Sequence, residues 1–281
     1  MFTNEDVAEY YDSTQNHYEK WWGLKDHRAL HYGIWDKGIR SFGEAVANTN
    51  RLMLQIAKIE AHHHVLDAGC GVGGSSFFIH KEIGASVHGI TLSGKQLDTA
   101  RQTANDLSLK NEQVKFSIMD FTRTDFSDQS FDVIWACESV CHTPDKADFL
   151  SESMRLLKPG GRIIICDFYA TPKGLEDDKR YMRRWMDSWG IDNYATLDQM
   201  TRELDMLGFS SEVVDYTAQI WPSAWRLYLA ACIGSVGSEL YNLFHPGVSR
   251  FARSHYKCGI YQYKALRAGL WRYAMICATK P

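Results

Sequence analysis

The stretch VLDAGCGVGG, residues 65–74, decides the fold class of this chain. Its apolar start predicts a short strand, its glycines predict a tight turn, and the segment that follows, as far as residue 83, has the spacing of a helix. A strand that runs through glycines into a helix lets a ligand approach the backbone at the helix N-terminus. The stretch therefore predicts a ligand-binding strand–turn–helix unit.

The same pattern continues along the chain. Helices are predicted near residues 42–59, 94–110, 145–157, 175–190 and 196–209, and residues 221–264 are aromatic-rich and helical or irregular. Short runs rich in β-branched residues alternate with these helices, which favours an α/β fold with a parallel sheet covered on both faces. After the first strand, further strands are predicted at residues 85–93, 114–121, 131–139, 158–169, 210–220 and 270–281.

Composition excludes several classes of protein. A net charge of −3 and a pI of about 6.4 give no electrostatic reason to expect nucleic acid or an anionic membrane as a partner. The seven cysteines contain no CxxC pair, and the chain begins without an apolar leader, so a reducing cytoplasm is the expected compartment. Its longest apolar runs are too short to span a bilayer. The run His62–His64 lacks further ligands at a suitable spacing, so no metal is expected.

The glycines also fit a dinucleotide-binding fingerprint, since Gly69, Gly71 and Gly74 satisfy G-x-G-x-x-G. That fingerprint requires an acidic residue about 20 positions later to bind the ribose hydroxyls. The sequence has Thr91 and Leu92 there. A nicotinamide-dependent oxidoreductase is therefore the disfavoured alternative.

A series of motifs follows the glycine loop: GITLSGKQ (residues 89–96), MDF (119–121), FDVIWACESVCH (131–142) and LLKPGGRIII (156–165). In order and spacing the series resembles the class I S-adenosylmethionine-dependent methyltransferases. The N-terminal YYD, WWG and LHYGIWD elements resemble the small-molecule branch with sterol, tocopherol and ubiquinone-type methyltransferases. The resemblance implies a Rossmann-like, doubly wound, mostly parallel seven-stranded sheet with an antiparallel last strand.

It also implies one methyltransferase domain over residues 1–281. Residues 1–60 would form a helical, aromatic lid and residues 61–170 the cofactor-binding core. Residues 171–281 would supply substrate-side helices, a helical insertion and the last strands. The implied cofactor is S-adenosylmethionine, which leaves as S-adenosylhomocysteine.

The resemblance transfers a set of cofactor-binding positions to this chain. Gly69 and Gly71 would contact the methionine part through their backbone, and Asp120 would meet the adenine amine. Thr91 stands where many relatives carry an acid, so Gln96 would take over the contact to ribose. The implied set is Asp67, Gly69, Gly71, Thr91, Leu92, Gln96, Asp120, Phe121 and Glu138.

His142 and Asp167 are the candidate catalytic residues. Methyl transfer needs alignment above all, and an acceptor hydroxyl or carbon acid must also lose a proton. Histidine suits that step near neutral pH, and Asp167 at the end of the fifth strand would orient it as a dyad partner. The plainer alternatives are a solvated loop for His142 and a strand cap for Asp167.

The aromatic N-terminus is predicted to cover the site. Tyr11 and Tyr18 would fold over the cofactor, because aromatic faces attract a sulfonium by about 0.5–2 kcal/mol and exclude water. The alternative is that they pack the helix at residues 42–59 against the sheet. The predicted substrate-side residues are His31, Tyr32, Trp35, Trp221 and Trp225.

This aromatic surface predicts a small lipophilic acceptor, such as a terpenoid, phenol, quinone or sterol-like molecule, methylated on carbon or oxygen. Two alternatives are an N-methyltransferase of a small amine and a non-catalytic protein that binds the cofactor. A macromolecular acceptor is disfavoured, since the chain has neither a basic stripe nor an Asn/Asp-Pro-Pro-Tyr motif. A monomer and a homodimer both remain open.

Overall fold

We describe a computed structural model of the chain, which covers residues 1–281 with every side chain except that of Lys25. Seven strands form one sheet in the order β3-β2-β1-β4-β5-β7-β6. β7 runs antiparallel to both of its neighbours, and the other pairs are parallel. The strands are β1 (His64–Ala68), β2 (Ser86–Thr91), β3 (Val114–Ile118), β4 (Phe131–Cys137), β5 (Leu157–Ala170), β6 (Ser210–Asp215) and β7 (Trp271–Thr279).

Eleven α-helices surround the sheet, with a π-helical turn at Tyr18–Trp22 and a 3-10 turn at Val140–His142. The helices are α1 (Asn4–His17), α2 (Leu24–His27), α3 (Phe42–Ala57), α4 (Gly74–Ile83), α5 (Gly94–Asp106), α6 (Lys146–Leu156), α7 (Pro172–Leu175), α8 (Tyr181–Trp189), α9 (Leu197–Met206), α10 (Trp221–Phe244) and α11 (Arg250–Arg267). The predicted fold class is confirmed. Among the described residues, no helix combines the length and the apolar character needed to cross a membrane.

The core lies on both faces of the sheet because successive side chains of a strand point to opposite sides. On β4, Trp135 joins the cluster under α1, α3, α8 and α11, whereas Ile134 joins the cluster under α6 and α9. On β5, Ile164 and Ile165 divide in the same way. The continuous apolar run on β5 is thus explained by burial on both faces.

Two predicted elements differ in extent from the structure. The helix predicted over residues 175–190 begins only at Tyr181, because Arg180 adopts a left-handed conformation with φ of 54°. The aromatic segment after residue 220 forms two consecutive helices, α10 and α11, that pack against each other. We call these two helices the α10–α11 hairpin.

β1 and β4 lie side by side at the centre of the sheet, where the strand order reverses. Loops after two such strands diverge and leave a crevice at the carboxyl ends of the strands, which is where open α/β sheets bind ligands. The glycine loop follows β1 and the predicted catalytic turn follows β4. The topology therefore brings both to one crevice.

Candidate functional site

The glycine loop between β1 and α4 has backbone angles and close contacts that exclude side chains. Gly69 has φ of 88°, and a Cβ placed on it would lie 2.4 Å from Cβ of Ser139. Only glycine meets both conditions. Asp67, at the end of β1, accepts a 2.6 Å hydrogen bond from the Ser76 hydroxyl, and burial raises the pKa of Asp67 to about 7. The carboxyl group thus ties the strand to the first turn of α4.

A cavity of about 560 Å³ opens above this loop. We call it the first cavity. It touches β1, β2 and β4 at their carboxyl ends, and α1 covers it. The structure brings together all the predicted cofactor-binding residues on its wall: Asp67, Gly69, Gly71, Thr91, Leu92, Gln96, Asp120, Phe121, Glu138, Tyr11 and Tyr18.

The end of β2 offers a neutral amide in place of an acid. The Thr91 hydroxyl donates a 2.8 Å hydrogen bond to Oε1 of Gln96, which fixes the amide and leaves its NH₂ group on the cavity side. A Cβ on Gly71 would lie 3.9 Å from that nitrogen. Gln96 therefore stands beside the glycine loop with free donors, as a ribose contact requires.

Asp120 is held from two sides at the far end of the cavity. Its Oδ1 accepts from the backbone and hydroxyl of Thr122, and its Oδ2 accepts a 2.7 Å hydrogen bond from the Asn4 side chain on α1. The first turn of α1 thus reaches the residue expected at adenine.

His142 bonds to a lid residue and not to the predicted acid. Its Nε2 lies 2.8 Å from the Tyr11 hydroxyl, and Trp189 packs edge-on against its ring. Burial, followed by the nearby Lys146 ammonium, lowers the pKa of His142 to about 3. The imidazole is therefore neutral and wedged between α1 and α8.

The predicted dyad between His142 and Asp167 is wrong in its direct form. Oδ2 of Asp167 accepts from the backbone N–H of Cys141 at 3.0 Å, and Oδ1 accepts from that of Phe168 at 2.8 Å. Asp167 does not line the first cavity. Its carboxyl group, whose pKa burial raises to about 6, holds the backbone of the turn that carries His142.

Lys146 is a buried cation that sequence reasoning missed. Its ammonium donates to the carbonyl oxygens of Cys141 at 3.1 Å, Thr143 and Asn193 at 3.2 Å. These bonds close the 3-10 turn that presents His142 and join it to the segment after α8. A lysine in the first turn of a helix is ordinarily solvated, so nothing in the sequence pattern marked it.

Glu138 occupies a strained position at the end of β4. Its φ of 51° lies in the left-handed region, which non-glycine residues seldom adopt. Oε1 accepts from the Tyr32 backbone N–H and the Tyr273 hydroxyl, both at 2.6 Å. Burial raises the pKa of Glu138 to about 8.

A second cavity, of about 510 Å³, lies between the π-helical turn and the α10–α11 hairpin. It is walled mainly by aromatic and apolar side chains, including Trp21, Trp22, Trp189, Leu227 and Tyr241. Four residues line both cavities: Tyr18, Leu30, Glu138 and Trp189. Glu138 thus stands at the junction between a polar cavity and an aromatic one.

The predicted substrate-side residues separate in the structure. Tyr32 lines the second cavity and His31 lines the first, where burial lowers the pKa of His31 to about 4. Trp35 donates to the Ser223 hydroxyl at 2.9 Å and lies outside both cavities. Trp221 and Trp225 also lie outside, partly exposed against the Tyr263 ring.

The wall of the second cavity includes two histidines, His17 and His255, that the sequence analysis did not identify. His17 and His255 face each other on its wall, with their Nδ1 atoms 3.2 Å apart. Tyr18 packs against His255 with ring centroids 5.0 Å apart. The density of aromatic residues after residue 220 was a visible signal for this wall, but it did not say which rings turn inward.

Near the amino end of β1, Glu60, His62 and His63 place ligand atoms within 4.8 Å of one another. This differs from the expectation that the histidine run lacks a nearby ligand. Nδ1 of His63 accepts the Glu60 backbone N–H at 3.1 Å, and the other two side chains are exposed. The cluster lines neither cavity.

The first cavity fits the implied cofactor by its own chemistry. Its glycine cradle allows close approach of a ligand to the backbone at the N-terminus of α4, and the Gln96 amide offers donors for ribose. Tyr11 and Tyr18 supply aromatic faces beside the buried Glu138, a combination that suits a sulfonium.

Comparisons with known proteins identify methyltransferases as relatives of this chain. A family model described as a methyltransferase domain matches residues 66–165. The chain is 32% identical over 240 residues to 2-methyl-6-phytyl-1,4-hydroquinone methyltransferase of Synechocystis sp., covering 76% of this chain and 71% of that relative. It is 36% identical over 151 residues to methyltransferase GfsG of Streptomyces halstedii, an alignment that spans about half of each protein, 53%.

The fold has solved counterparts. A crystal structure of geranyl diphosphate C-methyltransferase from Streptomyces coelicolor A3(2), in complex with Mg²⁺, geranyl diphosphate and S-adenosyl-L-homocysteine, superposes with a TM-score of 0.76. The superposition covers 99% of this chain and 97% of that one at 20% sequence identity, so the likeness is one of fold.

Proposed function

We propose that this chain, which belongs to the class I S-adenosylmethionine-dependent methyltransferases, methylates a small lipophilic acceptor on oxygen or carbon. The observation that carries the proposal is the pair of cavities that meet at Glu138: one has the polar wall that the cofactor needs, and the other has an aromatic wall. The relative with 32% identity is named for a phytyl hydroquinone, which is an acceptor of this kind.

In this proposal the cofactor occupies the first cavity and the acceptor the second. Gly69 and Gly71 hold the methionine part, Gln96 the ribose, and Asp120 with Phe121 the adenine. The bound cofactor supplies a methyl group activated on a sulfonium, ready for in-line displacement. The aromatic walls exclude water and align the acceptor, which is the main contribution that the protein makes to such a reaction.

For a hydroxyl acceptor, His142 takes the proton, directly or through the Tyr11 hydroxyl that already bonds to Nε2. His142 gains one positive charge as the bound cofactor loses one, so the buried site does not change its net charge. This balance offsets the low pKa of the imidazole in the ligand-free chain.

For a carbon acceptor, Glu138 removes the proton. Its Oε1 is engaged by two donors, whereas no described residue donates to Oε2, and the side chain lines both cavities. A bound sulfonium favours the ionised form of this buried carboxyl group, and the carboxylate can then take the proton. Asp167 and Lys146 are positioning residues that fix the turn between these two groups.

The test is methyl transfer from labelled cofactor to a panel of prenylated hydroquinones, terpenoids, phenols and sterols. We expect transfer to at least one of them. With a hydroxyl acceptor, His142→Gln and Tyr11→Phe should each lower kcat by about 100-fold while the Kd for the cofactor changes less than about threefold. With a carbon acceptor, Glu138→Gln should be the variant that lowers kcat by about 100-fold. His62→Gln, an exposed histidine outside both cavities, serves as the matched control and should leave kcat unchanged.

Two results would count against the proposal. If the chain binds the cofactor tightly but transfers no methyl group to any acceptor of the panel, it is a cofactor-binding protein and not a methyltransferase of small lipophilic molecules. An equal loss of kcat and cofactor affinity in His142→Gln would make His142 a positioning residue.

A further inference from the structure

α10 is a predominantly apolar helix of which only part is buried. Over Trp221–Phe244 it carries two charged residues, Arg226 and Glu239. One side, with Leu227, Gly234 and Ser238, lines the second cavity. An apolar helix face normally packs against the rest of the protein, so the opposite, exposed apolar side lacks its expected cover.

That opposite side is a continuous apolar stripe. Ile233, Val236, Leu240 and Leu243 recur at i, i+3, i+7 and i+10, which places them on one helix face, and Phe244 extends it. Their exposed fractions are large: 71% for Ile233, 76% for Val236, 59% for Leu240, 73% for Leu243 and 70% for Phe244. We call these five residues the α10 stripe. An exposed patch of this kind marks an interaction site.

The α10 stripe adjoins the second cavity. Ile233 belongs both to the stripe and to the cavity wall, and Gly237, one turn further along, also lines the cavity. The ring of Trp21, itself 39% exposed, lies against the position of Gly234 and widens the apolar surface. The exposed apolar surface is therefore continuous with the edge of the second cavity, so an apolar molecule can pass from one to the other.

The hairpin that carries the stripe is basic within an acidic chain. Residues 221–267 contain six Lys or Arg and one acid, a net of +5, whereas the whole chain has a net charge of −3. The one acid, Glu239, accepts a hydrogen bond from the Tyr256 hydroxyl, and one of the six basic residues, Arg250, is paired with Asp6 of α1. Arg253 lies at the end of the stripe, because its carbonyl oxygen accepts from the Asn242 side chain at 3.0 Å.

We propose that the α10 stripe docks on the surface of an anionic lipid bilayer and that the second cavity takes up its acceptor there. The exposed apolar face can enter the boundary of a bilayer, and basic residues of the hairpin, such as Arg253 at the end of the stripe, would meet anionic head groups there. A second copy of this chain fits less well, because pairing through the stripe would bring two hairpins of net positive charge together. The part of the inference that concerns acceptor entry rests on the proposed function.

The test is cosedimentation of the full chain with vesicles of phosphatidylcholine, with and without phosphatidylglycerol. We expect binding to the anionic vesicles that weakens as salt is raised. The double variant Val236→Gln/Leu243→Gln should lower the vesicle partition coefficient about tenfold or more, since both side chains are exposed and line neither cavity. Arg253→Gln/Lys257→Gln should weaken binding to the anionic vesicles, and the binding that this variant retains should no longer depend on salt.

The matched control is Leu175→Gln/Met206→Gln, which removes two exposed apolar side chains from α7 and α9 and should bind vesicles like the wild type. Absence of wild-type binding to either vesicle overturns the inference. So does a dimer, seen by sedimentation, that the stripe variant dissociates. Methyl transfer to an acceptor dispersed in detergent reports on the proposed function separately, and the stripe variant should retain it.

Discussion

Glu138 combines three unfavourable features in one residue. Its backbone is left-handed, its carboxyl group is buried with a pKa raised to about 8, and Oε2 has no donor among the described residues. Strain and desolvation of this kind persist at sites where a ligand relieves them. Tyr32 and Tyr273 hold the carboxyl group at the junction of the two cavities, so a cation bound there would be the relieving partner.

We therefore predict that cofactor binding releases a proton from Glu138. A cation within a few ångströms favours the carboxylate, so the pKa falls from about 8 and the proton leaves when binding occurs near pH 7. Calorimetric titrations in buffers of different ionisation enthalpy measure the number released. Glu138→Gln should release less by about half a proton or more.

Tyr273→Phe is the informative control for this effect. It removes a donor that lowers the pKa of Glu138, so the proton release should extend to higher pH. An unchanged proton count in Glu138→Gln would show that another group, such as the buried Asp67, supplies the proton.

The sequence located the residues of the first cavity, but it did not reveal the contacts that join distant parts of the chain. The bond from Ser76 to Asp67 follows from the strand–turn–helix pattern, because the two residues are nine positions apart. The bond between Tyr11 and His142 joins residues 131 positions apart, and no periodicity encodes it. Asp167 stood at the expected strand end, yet its partners are backbone N–H groups, which a residue pattern does not reveal.

At the scale of elements, α1 serves both as lid and as core. Tyr10 is fully buried in the cluster under the sheet, while Tyr11 on the next position faces the first cavity. Asp12 fastens the helix to α5: its Oδ1 accepts from the Ser93 hydroxyl and, at 3.4 Å, from the Lys95 backbone N–H. A carboxylate at the start of a helix is electrostatically favourable there. Tyr11 and Tyr18 line the first cavity, and Tyr10 takes the core position, packed against Phe251 of α11.

We predict that Asp12→Ala loosens the lid without unfolding the chain. The variant loses a charge-assisted hydrogen bond to the N-cap of α5, so the cofactor Kd should rise about tenfold, mainly through faster dissociation. Stopped-flow fluorescence of the N-terminal tryptophans measures the rate. Glu5→Ala removes another acid from the same helix. Glu5 bonds to Thr3 and not to α5, so this variant should change neither the Kd of the cofactor nor its dissociation rate. Equal effects in both variants would indicate that the charge of α1, and not its contact with α5, matters.

Elements whose apolar residues pack into the core were predictable. α3 begins where Ser41 caps it and follows its apolar spacing from Phe42 to Ala57, as predicted. The apolar residues of α10 are divided between a cavity wall and an exposed face, so its pattern specified no orientation. Which side of α10 lines the second cavity is determined by the tertiary fold, and the sequence pattern of the helix does not contain it.

At the scale of the whole molecule, burial shifts acids and histidines in opposite senses. Burial lowers the pKa of seven histidines, to about 4 for His31 and about 3 for His88, His142 and His255, and it also lowers that of His17, His63 and His64. It raises the pKa of three carboxyl groups, to about 7 for Asp67, about 8 for Glu138 and about 6 for Asp167. Below the ordinary histidine pKa of 6.5 the unfolded chain binds more protons, so stability falls as pH falls. Between the ordinary pKa of each carboxyl group and its raised value, the folded chain binds more protons, so stability falls as pH rises.

The two effects together predict a maximum in the Tm of the ligand-free chain at about pH 6–7, with a decline of about 2–3 °C by pH 8.5. Thermal unfolding between pH 4.5 and 8.5 at constant ionic strength measures it. Glu138→Gln/Asp67→Asn should flatten the alkaline side, because neither new side chain titrates. It should steepen the acidic side, because the two folded carboxyl groups no longer bind protons that oppose the effect of the histidines there. Asp98→Asn, an exposed acid, should leave both sides unchanged. A Tm that keeps rising above pH 7, or an alkaline decline that survives in the double variant, would contradict the assignment. Since a bound sulfonium favours the ionised Glu138, added cofactor should raise the Tm more at pH 8 than at pH 6.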